Sequence, residues 1–300
     1  MQETVGKVKI NYEFYTGEDL YSDGDIENII LDMVKEDDSY RYTDKRFDNW
    51  AVLYHLSRQR ENIVAPMDIK ASDDVLEIGA GMGAVTGALA EKARKVTCID
   101  LSKRRSLVNA YRHKDMDNIE LIVGNFNDVK LSEKYDIITL IGVLEYAGYY
   151  VDSLTADEDF LNKIKDMLAP EGKLYIAIEN RLGMKYFAGY NEDHLAKPFV
   201  GIEGYGNSKI KTYTYSELCK LLTKCGYKQI EFAFPFPDYK LPQVIYDEES
   251  LIKAEVDFSE RYNFDAMATE TFNQLTALKS LQGCEEIKYF ANSFLVEATI

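Results

Sequence analysis

Three histidines, one tryptophan, six prolines and four cysteines in 300 residues leave several chemistries short of material. The cysteines are Cys98, Cys219, Cys225 and Cys284; no two form a CxxC pair, and none neighbours a histidine at a ligand spacing. That excludes a zinc module of the spaced-ligand kind, and no metal is expected. The thiols read instead as buried apolar filler in a reducing compartment. Basic residues are scarce too, 35 against 51 acidic, for a net charge of −16. Such a surface repels phosphate backbones, so nucleic acid is not an expected partner. KARK (92–95) and SKRR (102–105) are the only dense basic runs, and they read as solvated helix ends. Long apolar runs are missing: DIITLIGVLEYAGYYV (136–151) contains Asp136 and Glu145 and is too short for a membrane span. The opening MQETVGKVKINYEF is polar and alternating, unlike a signal peptide. A cytoplasmic protein without a membrane span is expected.

What the chain has is core material and order. Hydrophobic residues make up 46%, ample for a globular interior. KVKINYEFY (7–15) alternates as a strand, IENIILDMVKE (26–36) has helical spacing, and FDNWAVLYHLSRQRENIV (47–64) reads as a second helix ended by Pro66. From residue 73 strands and helices alternate: DDVLEIG, AVTGALAEKA, KVTCID (95–100), KRRSLVNAYRH, IELIVG (119–124), YDIITLIG (135–142), DEDFLNKIKDMLA (157–169) and KLYIAIE (173–179). Strands rich in Val, Ile and Leu without polar alternation are covered on both faces, which means a parallel α/β sheet with right-handed crossovers. Residues 180–213, rich in Gly and Tyr, read as a long loop or lid. TYSELCKLLTKCG (214–226) is a helix with Thr214 as N-cap, Glu217 as its capping-box partner and Gly226 as stop. QIEFAFPFP (229–237) and FANSFLVEATI (290–300) look like a closing strand pair. Between them lies a mixed insertion, 238–285, helical at FDAMATETFNQLTAL.

VLEIGAGMGAVTGALA (75–90) is the most informative stretch. Gly79, Gly81 and Gly83 end the first strand of the alternating series, where ligands of doubly wound sheets bind. Glycine there permits a positive φ and lets a ligand come close. Two ligands compete. Gly79, Gly81 and Ala84 also fit GxGxxA, and Asp100 ends the next strand where a ribose diol would lie, so a nicotinamide dinucleotide fits the spacing. Glu77, two residues before Gly79, would repel a pyrophosphate yet could bind an ammonium. That favours an amino-acid-bearing nucleoside.

VLEIGAGMGAVTG, CIDLS, VGNFND, YDIITLIGVLEYA and LAPEGKLYIAI, in that order, resemble the successive motifs of class I S-adenosylmethionine-dependent methyltransferases, over about residues 60–235. The resemblance implies an α/β, Rossmann-like seven-stranded sheet with helices on both faces and an antiparallel last strand. Residues 1–65 would be an N-terminal extension packed on a methyltransferase domain at 66–300, with the lid 180–213 and insertion 238–285 elaborating it. It further implies S-adenosyl-L-methionine as cofactor. Gly79, Gly81 and Gly83 would approach its methionine part and Glu77 its ammonium. Asp100 would bond the ribose hydroxyls, Leu101 would pack on the adenine, and Asn125 would read the adenine edge with Phe126 against its face. Gly142 to Leu144 would line the pocket near the sulfonium.

A narrower resemblance spans nearly the whole chain. YSDGDIEN, YHLSRQREN, LSKRRSLVNAYRH, IVGNFND, ENRLGMKYFAGYNEDH, GIEGY and FPFPDYKLPQVIY are similar to a bacterial group found beside or fused to glycosyltransferases of cell-surface polysaccharide pathways. It implies a small-molecule or glycan acceptor and a glycosyltransferase as partner.

Methyl transfer is an in-line displacement in which positioning matters most. A hydroxyl or amine acceptor must also lose a proton; a carboxylate acceptor needs no base. His194, in YNEDH, has the near-neutral ordinary pKa that suits a base, and Glu145 follows the fourth strand directly. The alternatives are a solvated loop histidine and a structural acid. His55 reads as structural or as a cap over the cofactor, and His113 as a partner of a helix C-terminus. Tyr186, Tyr190, Tyr205, Tyr213 and Tyr215 could stack on sugar faces or pack at the surface, and Asp238 could touch the acceptor. The leading expectation is an enzyme methylating a small or carbohydrate acceptor at oxygen. One alternative is a ribosomal-RNA adenine dimethylase, whose glycine motif LEIGAGMGAVTGALA resembles. Against it stand the charge of −16 and LIGVLEY, which lacks the Asn-Leu-Pro-Tyr-like turn of those enzymes. Another is a non-catalytic module of the same fold partnering a glycosyltransferase.

Overall fold

The computed structural model describes residues 2–19, 22–36, 48–258 and 269–300. The chain packs as two units, Met1–Leu140 with Met167–Gly172, and Ile141–Asp166 with Lys173–Ile300. Among the described residues there are ten strands rather than the seven expected.

The first unit holds β1 (Gln2–Val5), β2 (Val8–Phe14), β3 (Asp74–Ile78), β4 (Lys95–Asp100), β5 (Ile119–Gly124) and β6 (Tyr135–Ile141) in the order β1-β2-β5-β4-β3-β6. From β2 to β6 every neighbour runs parallel. The chain passes from β3 through β4 to β5 on one side and then jumps to β6 on the other. That places the switch point, and the ligand crevice it creates, at the carboxyl ends of β3 and its neighbours. The additional strands β1 and β2 form an antiparallel hairpin, and β2 pairs with the outer side of β5, an edge that would otherwise be an open template. The helices are α1 (Ile26–Glu36), α2 (Trp50–Leu56), α3 (Thr86–Lys92) and α4 (Lys103–Arg112). Val75, Leu76, Val96, Ile99, Leu121, Val123, Ile138 and Leu140 are buried within the strands, each contributing about 1.5–3 kcal/mol on leaving water.

Two expectations fail here for local reasons. The helix expected over 47–64 begins, at Phe47, outside the described residues and breaks at Ser57, whose ψ of 127° is extended and whose Oγ accepts from Gln59 N–H; a 3-10 turn, Arg58–Val64, follows. The basic runs are solvated helix ends only in part: Arg94 and Lys103 are exposed, and the others are engaged. Lys92 donates to the carbonyls of Val64, Ala65 and Met67 at 3.0–3.1 Å. Arg104 and Arg105 both pair with the buried Glu27 of α1, and Arg105 also with Asp23.

The second unit holds β7 (Leu168–Glu179, which begins in the first unit's residues), β8 (Lys228–Phe236), β9 (Val244–Asp247) and β10 (Ser293–Thr299). Their order is β7-β10-β8-β9, each pair antiparallel. β8 and β10 are the closing pair read from sequence. The helices are α5 (Ala147–Tyr150), α6 (Ala156–Lys165), α7 (Met184–Phe187), α8 (Tyr215–Lys224), α9 (Glu248–Lys253), α10 (Gln274–Ser280) and α11 (Ile287–Phe290). α8 has the full capping box: Thr214 Oγ1 accepts from Glu217 N–H, and the Glu217 carboxylate accepts from Thr214 N–H. Of the helix expected at FDAMATETFNQLTAL, the first residues lie outside the described ones, 269–273 are not helical, and only the part from Gln274, in α10, is. The segment 180–213 is less exposed than a lid. Lys185, Tyr186, Glu192, Tyr205, Thr212 and Tyr213 in it are buried. Among the cysteines Cys98 and Cys225 are buried, but Cys284 is exposed. No helix among the described residues is long and apolar enough to cross a membrane.

Candidate active site

In the first unit, β3 stops at Ile78 because the next residues cannot stay extended. Gly79, Gly81 and Gly83 take φ of 74°, 54° and 74°, the left-handed region that costs other residues about 1–2 kcal/mol. The turn is clamped onto β4, with Gly79 and Ala80 N–H donating to Ile99 O at 2.8 and 3.2 Å. Asp100 closes it: Oδ2 accepts from Gly81 N–H at 2.8 Å and Oδ1 from Ser102 N–H at 2.9 Å. Burial raises the Asp100 pKa above the usual carboxylate range. A Cβ built on Gly81 would meet only Arg105 Nη1, at 3.9 Å, so the space over that residue is open. On Gly83 it would strike Asn109 Oδ1 at 2.4 Å. The Cβ side of the third glycine therefore faces α4.

Glu77 is buried beneath the turn. Its Oε2 accepts from Thr86 Oγ1 at 2.6 Å and from Cys98 Sγ at 3.4 Å, and burial raises its pKa to about 7. Leu101 is half-buried at the start of α4's approach. Asn125, after β5, is half-buried, and its Oδ1 accepts from Asn127 N–H at 2.9 Å. Phe126 is buried in the core. Glu77, Gly79, Gly81, Asp100, Leu101 and Asn125 thus gather at the carboxyl ends of three adjacent parallel strands. An open, left-handed backbone between a buried carboxylate, Glu77, and a half-buried one, Asp100, fits a ligand with an amino acid at one end and a ribose at the other. His55 lies elsewhere in this unit, its Nε2 2.9 Å from Asp23 Oδ2.

The second unit carries the remaining candidates. Gly142 donates its N–H to Ala177 O at 2.9 Å, and a Cβ there would come within 2.8 Å of the Tyr239 hydroxyl. Glu145 sits on a 3-10 turn, Leu144–Tyr146, with 1% of its surface exposed and no hydrogen bond to either carboxylate oxygen. His194 Nε2 lies 3.3 Å from Glu179 Oε2 and 3.9 Å from Glu145 Oε1, and Nδ1 lies 3.0 Å from the Tyr146 hydroxyl. Lys240 Nζ joins Glu179 Oε1 at 2.5 Å to Asp193 Oδ1 at 2.7 Å, and Lys185 Nζ meets Asp193 Oδ2 at 2.8 Å and Asp238 Oδ2 at 3.5 Å. Tyr186 OH donates to Asp193 Oδ2, and Tyr205 OH to Glu192 Oε1. These rings are fixed structural members rather than faces offered to a sugar.

The electrostatics divide the two candidate bases. Burial alone would push the His194 imidazole down, but Glu179 and then Glu145 outweigh it and raise it to about 9. His194 is therefore an imidazolium at neutral pH, and the near-neutral base expected from its ordinary value is not what the fold provides. Burial raises Glu145 well above the usual carboxylate range, against the pull of His194. Glu179 is held far below it by Lys240 and His194 in spite of burial. Glu145, Glu179 and His194 place ligand atoms within 4.8 Å of one another, the one such trio among the described residues. Lys240 already supplies a cation there. Sequence reading missed Glu179, Lys185 and Lys240. Glu179 did carry a signal, an acid ending the apolar run LYIAIE; the lysines carried none.

A model of the methyltransferase domain matches residues 76–174. The small-subunit ribosomal RNA methyltransferase A of Malacoplasma penetrans is 24% identical over 216 residues, 64% of this chain and 79% of that protein. In two further enzymes of that name the chain spans only about half the relative's length, 53% and 52%. A Bacillus subtilis protein named as a methyltransferase, YrhH, is 30% identical over 148 residues, 47% of this chain and 79% of that one. A chain from the Haloferax volcanii complex of the Trm112 methyltransferase activator with a methyltransferase shares the fold, at a TM-score of 0.51 and 18% identity, covering 84% of this chain and 95% of that one. The chain belongs to the class I S-adenosylmethionine-dependent methyltransferases. It is an enzyme of that class, and S-adenosylmethionine is its methyl donor.

Proposed function

We propose that the enzyme methylates a hydroxyl of a small-molecule or carbohydrate acceptor, with Glu145 receiving the hydroxyl proton. One observation carries this reading: Glu145 is a buried carboxylate with neither oxygen hydrogen-bonded. An orphaned acid of that kind costs several kcal/mol unless a proton or a donor from a ligand satisfies it. The donor supplies a methyl group on a sulfonium, whose leaving group is already activated. The acceptor side then needs a group whose proton affinity is near neutral, which burial gives Glu145. His194, charged and held between Glu179 and the Tyr146 hydroxyl, steadies the negative charge of Glu145 before it takes the proton. Glu77 is assigned to the donor's ammonium, Asp100 to its ribose, Gly79 and Gly81 to its methionine part, and Leu101, Asn125 and Phe126 to its adenine.

The whole-chain resemblance to enzymes beside or fused to glycosyltransferases supports a glycan acceptor and a glycosyltransferase as partner. A second reading, methylation of small-subunit ribosomal RNA, is favoured by the Malacoplasma penetrans relative and opposed by the charge of −16. Labelled methyl donor incubated with the protein and with fractionated cell extract separates the two. Label in a base-stable ether of a glycan or small metabolite is expected. Label in ribosomal RNA would replace this reading with the second, and label in neither fraction would favour a non-catalytic module.

A further inference from the structure

Gly83 and Gly87 are bare for a reason other than a ligand. A Cβ on Gly83 would lie 2.4 Å from Asn109 Oδ1 and 2.8 Å from His113 Cε1, and one on Gly87 would lie 2.8 Å from His113 Nε2. Both glycines make room for these two side chains, from α4 and the residue that caps it. The side chains enter a line of hydrogen bonds that ends on Glu77. His113 Nδ1 lies 3.0 Å from the Asn109 main-chain carbonyl and 2.8 Å from Asn109 Oδ1. A carbonyl only accepts, so Nδ1 carries the proton, and the amide oxygen rather than the amide nitrogen must meet it. That turns Asn109 Nδ2 to Thr86, donating to Oγ1 across 3.0 Å. Thr86 is thereby left with its own O–H to give, and it gives it to Glu77 Oε2 at 2.6 Å. Every member of the line donates toward the acid, and Cys98 Sγ adds a further donor at 3.4 Å. Oε2 therefore accepts and does not donate, and donors gathered on one carboxylate oxygen favour the ionised form over the neutral one.

We infer that His113, Asn109 and Thr86 form a one-way donor relay that positions Glu77 as an ionised acceptor for the donor's ammonium, and that Gly83 and Gly87 admit the relay. The inference rests on the assignment of Glu77 to that ammonium. The charged groups facing Glu77 are Asp100 from β4, which opposes ionisation, and Arg112 from α4, which favours it. Burial raises the acid to about 7, so the relay acts where modest changes decide its charge at neutral pH. An ammonium binds the ionised form, so donor affinity rises as pH rises through that value.

The test is calorimetric titration of S-adenosylhomocysteine, which carries the same ammonium, into the full chain from pH 5.5 to 8.5. Wild type should weaken on the acid side. Asn109→Leu and Thr86→Val should move the midpoint up by about one pH unit, giving about fivefold weaker binding at pH 7 and near-wild-type binding at pH 8.5. Thr86→Ser should restore the wild-type midpoint. A role in packing alone would weaken binding equally at every pH. An unmoved midpoint in Thr86→Val, or a loss independent of pH, overturns the relay. The Thr86 pair decides the matter should Asn109→Leu fail to fold. If Glu77→Gln kept wild-type affinity and pH dependence, the assignment of Glu77 to the ammonium would fail first, whatever the relay does.

Discussion

Glu145 and His194 stand 3.9 Å apart and differ in what surrounds them, and that difference assigns their roles. His194 has a carboxylate and a phenol on its two ring nitrogens, so its proton is held from both sides. Glu145 accepts a hydrogen bond on neither oxygen. Glu145→Gln keeps the shape and removes the base, so transfer to a hydroxyl acceptor should fall by about 10²–10⁴-fold in kcat while S-adenosylhomocysteine binding holds. Equal losses in both would place Glu145 in the donor site instead. Glu179→Gln takes away the partner that most raises His194, and the imidazole should move down toward its ordinary value. Proton NMR of the histidine ring across pH 5–10 would show it; a titration still near 9 would mean that Glu145 alone sustains the charge.

α8 illustrates how much of an element can be local. Thr214 and Glu217 exchange both bonds of the capping box, and Arg181 adds Nε and Nη2 contacts to the Glu217 carboxylate at 2.8 Å each. Thr214→Ala should cost about 1 kcal/mol of stability, seen as a lower urea midpoint at unchanged slope. A cost near zero would mean that Arg181 holds Glu217 without the cap. The cap, the periodicity of α1 and the β3–α3–β4–α4 alternation were all legible because each is written in neighbouring residues. Other boundaries were not. DEDFLNKIKDMLA reads as a helix to residue 169, yet α6 ends at Lys165 and β7 already begins at Leu168, since the strand's length is set by its pairing and not by its own residues. Ser57 looked like one more residue in a helical run, and its hydroxyl instead caps the next turn. At the candidate site, the glycines, Glu77 and Asp100 stood out from spacing alone. The ionic cluster did not, because Glu145, Glu179, His194 and Lys240 come from four separate stretches, and sequence distance hides their charges from one another. Asn109 and His113 looked like an ordinary helix end until Gly83 and Gly87 showed what they touch.

The molecule as a whole holds its three histidines in opposite states, and its stability should record that. In the first unit burial lowers His55 to about 4, against the hydrogen bond to Asp23, and lowers His113 to about 3, with Arg112 adding to the effect. Both are neutral in the fold. Their contribution is present above the ordinary value of about 6.5 and is lost as pH falls from there toward 4, because the unfolded chain then binds protons that the fold refuses. His194 in the second unit runs the other way. Its folded value of about 9 lies above the ordinary one, so its contribution is complete below about 6.5 and is lost as pH rises through 9. The full amount is on the order of 3 kcal/mol for a shift of this size. Glu77, raised to about 7, loses its share as pH rises from the ordinary glutamate value to 7, which partly offsets the histidines on the acid limb. A plot of Tm against pH from 4 to 10 should therefore peak on the mildly acidic side of neutrality and fall in both directions. His194→Gln should flatten the limb between about 6.5 and 9 and leave the acid limb in place. His113→Gln should do the reverse. An alkaline limb that survives His194→Gln unchanged would show that the imidazolium between Glu179 and Glu145 does not hold its proton in the fold, and would return His194 to contention as the base.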